Sequence, residues 1–363
     1  MLTRRARRLR ITAWSVGALL LAGCATTGSA PSAADPVPAT VRISTVGQHL
    51  AAYTPLWAAA PELAEVERRF GTTIEYPSFG KGSDALTAVL GGSAEICNCL
   101  FPTGLRAAAQ GQKLTYTANF FIGPGTVLVA AARHEAQRGT DLARFDGAAF
   151  GYSSEGGSDQ RSLAAAIDHA GLDWSRQNGI AVGSIAGYLP ALESGRVDLA
   201  MMDATSAAQA VRDGVGYVVL NTNDYDAFAP VGGAVPGSGL LFSDAFRDAH
   251  PELAQEIVTA VVAGLNRVRA EQDADAVYDV LPPEFHAANP DRDAFRAQWA
   301  LIRPSFEAAD GTIGAETLRD ATARTFTDGA PPATDTEGFV DNEPVERAYA
   351  DLGIPRPDAA SRS

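Results

Sequence analysis

Two short segments rich in glycine and serine contain the residues best suited to binding a small ligand. Residues 78–83 read Ser-Phe-Gly-Lys-Gly-Ser and residues 153–158 read Ser-Ser-Glu-Gly-Gly-Ser, and each segment precedes a predicted helix. Free N–H groups at a helix N-terminus and a helix dipole of about half a charge favour an anion. Two such loops facing each other predict that a sulfonate, nitrate or carboxylate is held from both sides. The alternative is two ordinary turns that use glycine and serine for backbone geometry alone.

These two loops supply most of the predicted ligand-binding residues. Ser83 with Asp84, and Ser158 in the second loop, are the predicted N-caps of the two helices. The predicted ligand-binding residues of the loops are Ser78, Gly80, Lys81, Gly82, Ser83, Ser154, Gly157, Ser158 and Asp159. Lys81 could place a positive charge beside the ligand, as could Arg161. Nucleotide binding is excluded, because the phosphate-loop pattern needs an earlier glycine and a hydroxyl directly after the lysine.

Cys97-Asn98-Cys99 follows a predicted strand whose end should reach the ligand. Alternate residues of a strand are about 6–7 Å apart, beyond disulfide reach unless Asn98 lies in a turn. A metal site needs a second Cys/His pair at ligand spacing, and none is present. The favoured interpretation is that both cysteines line the floor of the site with Asn98. A redox pair, a metal site and a bridged pair remain the alternatives.

A few further polar and aromatic residues stand near predicted strand ends. Asp203 is interpreted first as a helix N-cap, with ligand contact as the alternative. His49 and Tyr53 could stack on a planar ligand, whereas Trp57 lies on an apolar helical stripe and is predicted to be core. The remaining predicted ligand-binding residues are His49, Asn98, Asn119, Gly183 and Asp203.

The composition excludes several classes of function. A formal net charge of −14 is unsuited to nucleic acid, whose binding depends on neutralising phosphates with Lys and Arg. The histidines are scattered without HxxxH or HExxH spacing, and no GxSxG motif is present. We therefore predict no catalytic residues, no metal and no cofactor.

The elements that must position these residues alternate between short β-branched runs and longer helical patterns. This rhythm is typical of an α/β fold with mostly parallel sheets. Two such sets are predicted, one from Val41 and a second from about residue 144. A strong apolar stripe then predicts a long helix over 251–269.

Segments spread along the chain resemble the substrate-binding proteins of nitrate/sulfonate/taurine-type ABC importers. The segments that carry the resemblance are 83–95, 106–114, 151–158, 170–173, 182–183, 191–198 and 345–353. The resemblance implies a two-lobed clamp of the periplasmic-binding-protein type II, with each lobe a mostly parallel sheet flanked by helices. It further implies a first lobe made of 41–130 and 235–363 and a second lobe of 134–230, with crossings near 126–133 and 230–241.

The N-terminus predicts export and attachment to a membrane. Five arginines precede a short apolar run that ends in Leu21-Ala22-Gly23-Cys24, which is the layout of an export signal. The cysteine after Leu-Ala-Gly resembles a bacterial lipobox, so residues 1–23 are the predicted signal peptide and Cys24 the predicted site of lipidation. An ordinary signal peptide is the alternative. Residues 24–40 form the predicted flexible tether.

Together these features predict a lipid-anchored, extracytoplasmic receptor that captures a small solute and delivers it to an ABC permease. We expect a monomer with an anionic solute between its lobes. A neutral or cationic heterocycle held by His49, Tyr53 and Asp203 is the second possibility for the ligand. A ligand sensor or scaffold on the same fold, and an exported thiol enzyme using Cys97 or Cys99, are the alternative functions.

Overall fold

The computed structural model describes residues 36–47, 50–139, 141–224, 228, 235–326 and 338–357. The predicted signal peptide, Cys24 and most of the predicted tether therefore lie outside the described residues, as does His49. Within the described residues, no helix has both the length and the apolar character needed to span a membrane.

The first sheet is built from short β-branched and apolar runs, as the sequence predicts. Its strands are β1 (Thr40–Val46), β2 (Thr73–Glu75), β3 (Ser78–Phe79), β4 (Ile96–Leu100), β5 (Leu114–Thr117) and β11 (Ser238–Ser243). The order is β2-β1-β4-β11-β5, and β3 pairs with the end of β1. Strands β1, β2 and β4 pair in parallel, and β11 runs antiparallel to both its neighbours.

The second sheet repeats this plan. Its strands are β6 (Thr126–Ala131), β7 (Ala149–Tyr152), β8 (Asn178–Ala181), β9 (Leu199–Asp203) and β10 (Gly216–Asn221). The order is β10-β6-β9-β7-β8. Strands β7, β8 and β9 are parallel, and β6 runs antiparallel to β9 and β10.

The chain enters the second sheet at β6 and returns to the first sheet at β11, and both of these strands are antiparallel to their neighbours. Residues 118–125 lead from β5 into β6, and residues 235–237 lead back into β11. These two crossing segments are hydrogen-bonded side by side: Gly123 N donates to Val235 O (2.6 Å) and Gly237 N donates to Phe121 O (2.8 Å). A Cβ on Gly237 would lie 2.1 Å from the Phe121 ring, so this position accepts only glycine.

The pairing of β6 corrects one predicted boundary. The resemblance implies that residues up to 130 belong to the first lobe and that the first crossing lies near 126–133, but β6 is hydrogen-bonded between β9 and β10. The crossing therefore precedes Thr126. All six residues of β6 are buried, and a uniformly apolar strand carries no local signal for the sheet that will receive it. The division into lobes 41–130, 134–230 and 235–363 otherwise stays a prediction.

Helices cover the faces of both sheets. They are α1 (Thr54–Ala58), α2 (Ala60–Phe70), α3 (Gly82–Leu90), α4 (Phe101–Ala109), α5 (Ser158–His169), α6 (Tyr188–Glu193), α7 (Ala204–Arg212), α8 (Asp244–Ala249), α9 (Pro251–Ala270), α10 (Ala274–Asp279), α11 (Pro283–Ala288), α12 (Arg292–Glu307), α13 (Ala315–Thr325) and α14 (Glu343–Leu352). The predicted apolar stripe of α9 is buried along its length, from Leu253 to Val268. The predicted long helix is confirmed.

Asp198 fixes the start of β9 to its surroundings. Its carboxylate accepts hydrogen bonds from the Ala149 amide (2.9 Å), Arg133 (2.8 Å) and His134 Nε2 (2.8 Å). Burial raises the pKa of this carboxyl, but the Ala149, Arg133 and His134 hydrogen bonds together outweigh burial and lower it to about 2. A charged carboxylate is therefore part of the folded second sheet.

Candidate functional site

A cavity of about 520 Å³ lies between the two sheets. We call it the cleft cavity. Its first wall is formed by the start of α3 and the inner side of α4, and its second wall by residues 153–157 and the start of α5. Residues of the crossing segment 118–125 and Thr126, the first residue of β6, also line it. The predicted ligand-binding residues that line it are Gly80, Lys81, Gly82, Ser83, Ser154, Gly157, Ser158, Asp159 and Asp203.

The N-terminus of α3 opens onto the cleft cavity without a side-chain cap. Lys81 is the N-cap residue, in extended backbone conformation, and the helix begins at Gly82. The predicted Ser83–Asp84 cap is wrong, because both residues already lie in the first helical turn. Lys81 remains partly exposed and its Nζ lies 3.8 Å from the Asp84 carboxylate. The first amides of α3 therefore have no side-chain acceptor.

The N-terminus of α5 is arranged in the same way in the opposite wall. Gly157 is the N-cap residue and no side chain caps the helix. Ser158 is the first helical residue, so its predicted capping role is wrong. A Cβ on Gly157 would lie 2.5 Å from Asp159 Oδ1 and 2.8 Å from Ser154 O. Glycine is needed here because the loop closes tightly onto the Asp159 carboxylate.

Part of the hydrogen-bonding capacity of this second loop is used inside the loop itself. The Ser153 amide donates to Asp159 Oδ2, the Gly156 amide donates to Gln160 Oε1 (2.6 Å), and the Gly157 amide donates to the Ser154 carbonyl. The sequence predicts more free amides than the structure offers. Backbone groups of this loop are thus a smaller part of any anion site than the loop composition suggests.

Two arginines, one in each wall, line the cleft cavity. Arg106 lies on α4 and Arg161 on α5. Arg106 Nη2 donates to Thr325 O (3.0 Å), while its buried Nε has no hydrogen-bond partner. Arg161 donates to the Gly156 carbonyl. Burial and then the nearby Arg106 charge lower the pKa of Arg161, and Asp159 opposes them, but a guanidinium remains charged at neutral pH.

In the sequence, Arg161 is a candidate only as a companion of Lys81, and Arg106 is not among the predicted ligand-binding residues. Arg106 is the one charged residue of α4, in a helix of otherwise small and apolar side chains that follows directly on the end of β4. A lone arginine on such a helix is the signal that could have identified it. Tyr188, which also lines the cavity, carries no comparable signal in the sequence.

The acidic residues of the lining are satisfied by protein groups. Asp203 caps α7, as predicted, accepting hydrogen bonds from the Ser206 amide (2.9 Å) and hydroxyl (2.6 Å). Burial raises the pKa of Asp203 against these hydrogen bonds. Asp159 accepts a hydrogen bond from the Tyr188 hydroxyl (2.7 Å). Burial and then the Asp159 charge raise the pKa of Tyr188, which therefore stays a neutral donor.

Tyr53 and Trp57 follow the strand β1 in the first wall. Tyr53 lines the cleft cavity, and burial and then the Asp203 charge raise the pKa of its hydroxyl. Trp57 is 4% exposed and packs in the main hydrophobic core, which confirms its predicted core role. Glu155, at the rim, accepts hydrogen bonds from Tyr152 and Gln160.

Several predicted ligand-binding residues do not line the cleft cavity. They are Ser78, Cys97, Asn98, Asn119 and Gly183. The side chain of Asn119 bonds Phe121 O (3.0 Å) and accepts from the Tyr116 hydroxyl (3.2 Å). The amide of Gly183 donates to Ser153 O (2.9 Å) at a φ of +96°.

The favoured interpretation of the cysteines is also wrong. Cys97 and Cys99 lie within β4, are fully buried, and are joined by a disulfide with a Cα–Cα distance of 5.2 Å. That distance is within the range for disulfides. It is shorter than the spacing of about 6–7 Å between alternate residues of an ideal strand. Both sulfurs face the core packed by α3 and α4 rather than a ligand. Asn98 is buried on the opposite face of the strand.

The described residues offer little for metal binding or nucleophilic catalysis. No three His, Cys, Asp or Glu side chains converge among them to hold a metal ion. The described histidines, at positions 134, 169, 250 and 286, do not line the cleft cavity. The lining contains two guanidinium groups, a lysine, three carboxyl groups, helix N-termini and tyrosine hydroxyls.

Comparison with known proteins bears out the predicted fold and type of protein. Residues 34–281 match the model of the NMT1-like family. Among similar solved structures, a protein from Bordetella bronchiseptica RB50 is 24% identical with a TM-score of 0.71, and the match covers 87% of this chain and 98% of that chain. The zinc-bound ligand-binding component of an ABC-type import system from Staphylococcus aureus is 16% identical with a TM-score of 0.70, covering 86% of this chain and 99% of that chain. The alkanesulfonate-binding protein SsuA from Xanthomonas axonopodis pv. citri, bound to MOPS, is 17% identical with a TM-score of 0.64, covering 86% of this chain and 98% of that chain. No curated protein matches the chain. The chain has the periplasmic-binding-protein fold.

Proposed function

We propose that this chain, which belongs to the NMT1-like family, is the solute-binding component of an ABC importer and captures a small anion in the cleft cavity. The ligand-binding component from Staphylococcus aureus and the alkanesulfonate-binding protein share its fold. The observation that carries the proposal is the pair Arg106 and Arg161, one in each wall of a single cavity.

The hydrogen-bond partners of the charged side chains, and not their net charge, favour an anion over a cation in the lining. The carboxylates of Asp159, Asp203 and Glu155 already accept hydrogen bonds from protein donors, whereas Arg106 and Arg161 donate to the Thr325 and Gly156 carbonyls and each guanidinium has further N–H groups. The two arginines also repel one another. A bound anion would relieve this repulsion and accept charge-assisted hydrogen bonds, which are about twice as strong as neutral ones.

An anion held from both walls also explains how binding could be signalled. Because Arg106 precedes the first crossing and Arg161 follows it, a ligand bound by both favours the arrangement in which the walls are close. A ligand shifts the equilibrium between the two arrangements only if it binds one of them more tightly than the other. The permease would then recognise the liganded arrangement. This role needs no catalytic residue, and we propose binding rather than catalysis.

We further propose that the protein acts as a monomer outside the cytoplasm, held at the membrane by a lipid on Cys24. The support is the run of arginines, apolar residues and Leu-Ala-Gly-Cys at the N-terminus. In the natural host, Cys24→Ser should move the protein from the membrane fraction to the supernatant and abolish incorporation of labelled palmitate. Retention of Cys24→Ser in the membrane fraction would contradict the anchor.

The solute-binding role is tested first by native mass spectrometry of the purified protein, which detects a co-purified ligand by its mass. A thermal-shift panel of nitrate, sulfonates, carboxylates and uncharged heterocycles follows on refolded protein. We expect stabilisation by one class of anion, since a ligand that binds only the folded state raises its melting temperature. Stabilisation by heterocycles alone, with none by anions, would overturn the anionic assignment.

A further inference from the structure

A second cavity has a volume of about 460 Å³ and includes exposed residues such as Ala186 and Gln209 in its lining. We call it the outer groove. Leu50, Gly80 and Ile185 line both the outer groove and the cleft cavity. Leu50 and Gly80 follow strands of the first sheet, whereas Ile185 follows β8 of the second sheet. Residues attached to different sheets therefore meet beside the cleft cavity.

Two turns of the first sheet form one side of this meeting point. Gly47 follows β1 and Gly80 follows β3. The Gly47 amide donates to the Phe79 carbonyl (2.8 Å), so the two turns are held together. Gly47 has a φ of +63°, a backbone conformation that favours glycine. We call Gly47, Leu50 and Gly80 the first edge.

A loop of the second sheet forms the other side. Ser184 and Ile185 follow β8, and the amide of the preceding Gly183 donates to the Ser153 carbonyl (2.9 Å). Ser153 belongs to the loop that lines the second wall of the cleft cavity. We call Ser184 and Ile185 the second edge, and this hydrogen bond ties it to the second wall.

The two edges approach closely because two positions of the first edge carry no side chain. A Cβ placed on Gly47 would lie 3.3 Å from Ile185 Cδ1, and a Cβ placed on Gly80 would lie 4.0 Å from Ser184 Cβ. Ile185 also packs against the hydrophobic core that includes Leu50. Glycine at these two positions thus allows the second edge to reach the backbone of the first.

The contact between the edges is small enough to open without unfolding the protein. Ser184 and Ile185 are only partly buried, and Gly80 is exposed. One hydrogen bond lies beside them, from the Ala51 amide to the Thr205 hydroxyl of α7 (3.1 Å). Regions with few buried apolar contacts open locally at a low cost in free energy, and both edges lie outside the strands of the two sheets.

We propose that the two edges form a latch, which holds the walls of the cleft cavity together and separates when a solute enters or leaves. This inference rests on the proposed function and adds a contact between the walls that is independent of the charged groups. Ile185 is the positioning residue of the latch, because its side chain bridges the edges. The two arginines select the solute, and the latch sets how long the walls stay together.

The test is a pair of cysteines, Gly80→Cys with Ser184→Cys, in the protein that also carries Cys24→Ser. The Cβ separation of 4.0 Å lies within the range of about 3.5–4.5 Å found in disulfides. The native cysteines of β4 are fully buried and already joined. The new pair should cross-link under mild oxidation with diamide, at a rate proportional to the fraction of time that the edges are in contact.

The matched control is Gly338→Cys with Ser184→Cys. No described atom lies within 4 Å of a Cβ placed on Gly338, so this pair should not cross-link within one molecule. The control shows that oxidation reports proximity and not the reactivity of the Ser184→Cys thiol.

Two further measurements distinguish a latch from a permanent contact. In the absence of ligand, small-angle X-ray scattering should give a larger radius of gyration for the reduced cysteine pair than for the oxidised pair, because the reduced latch opens. Addition of methanesulfonate or nitrate, whichever gives the larger thermal shift, should speed cross-linking, since a ligand favours the arrangement that it binds more tightly.

Ile185→Ala tests the positioning residue itself. We expect the cross-linking rate of the ligand-free cysteine pair to fall about fivefold, the equivalent of ~1 kcal/mol for removing a partly buried apolar side chain. Val211→Ala is the matched control and should leave the rate unchanged, because Val211 is 43% exposed and lines neither space. If the cysteine pair does not fold, Ile185→Ala alone should increase the radius of gyration of the ligand-free protein, and an unchanged radius would overturn the inference.

The outcomes separate this inference from the proposed function. A folded cysteine pair that does not cross-link would show that the edges do not meet, and the inference would be wrong. Cross-linking with no effect of oxidation on the radius of gyration and no effect of Ile185→Ala on the rate would show a permanent contact and also refute the latch, while solute binding measured by titration would leave the proposed function intact. If the ligand-free results are as expected and no anion binds or changes the rate, the latch stands and the proposed anion-binding function fails.

Discussion

Replacing Arg161 by glutamine is the most direct perturbation of the proposed anion site. The change removes one charge from the second wall of the cleft cavity and keeps a polar side chain of similar length. Arg161 makes one hydrogen bond within the protein, to the Gly156 carbonyl, so most of its donors remain for a ligand.

The expected loss of binding free energy follows from the charge and the partial burial of the Arg161 side chain. A charge pair 4 Å apart near a protein surface is worth about 4 kcal/mol before desolvation and screening, and a hydrogen bond to a charged group contributes ~1.5–3 kcal/mol net. Arg161 is partly exposed, so we expect its loss to weaken anion binding by about 2 kcal/mol. The Kd of an anionic ligand should then rise about 30-fold.

The ligand-free protein should behave differently. Arg106 and Arg161 repel one another when no anion lies between them. Removing one charge should therefore leave the free energy of unfolding of the empty protein within about 0.5 kcal/mol of the original. The loss should be specific to binding.

The assay is isothermal titration with the anion that gives the largest thermal shift, and urea unfolding of the empty protein. Arg176→Gln is the matched control, since Arg176 is an exposed residue after α5 that does not line the cleft cavity. It removes the same charge from a solvent-exposed position and should leave the Kd within about twofold, because interactions of exposed charges are weakened by solvent and salt. An unchanged Kd for Arg161→Gln, or an equal loss for Arg176→Gln, would refute the reasoning.

Three further predictions concern the folded body. Gly237→Ala should lower the free energy of unfolding in urea by about 3 kcal/mol, because the added Cβ would overlap the buried Phe121 ring. Gly338→Ala is the control and should change this free energy little, because no atom lies within 4 Å of its added Cβ. Equal effects of the two substitutions would contradict the packing argument. The folded pKa of Asp198 is lowered from 3.8 to about 2, so its contribution of at most about 2 kcal/mol is complete above pH 4 and is lost as pH falls towards 2. Asp198→Asn should accordingly differ from the original protein at pH 7 and converge with it near pH 2; a constant difference would disprove the linkage. Peptide mapping of the unfolded protein should find Cys97 and Cys99 unreactive to iodoacetamide until a reductant is added, and labelling without reductant would show free thiols.

Much of the fold could be predicted because the signals are local. The β-branched runs of β1 and β9 and the apolar stripe of α9 follow from periodicities of two and about 3.6 residues, and each is present where expected. The Asp203 cap is equally local, because an N-cap depends on residues within one helical turn.

The predictions that the structure contradicts depend on three-dimensional contacts that residue types alone do not reveal. The sheet that receives β6 is decided by pairing with β9 and β10, more than 60 residues later in the chain. The disulfide depends on a local shortening of β4 that residue types do not reveal. Asn119 is a polar residue of the kind that binds ligands, but its side chain is hydrogen-bonded to the Phe121 carbonyl in the crossing segment.

The sequence by itself determined the α/β class and the two glycine- and serine-rich helix starts, because each depends on residues close together in the chain. Only the tertiary structure decided which of the candidate residues share one cavity. Arg106 and Arg161 are separated by a crossing between two sheets, and their meeting is a product of long-range packing. A charge can be read from a sequence, but the burial and the neighbours that give it a role cannot.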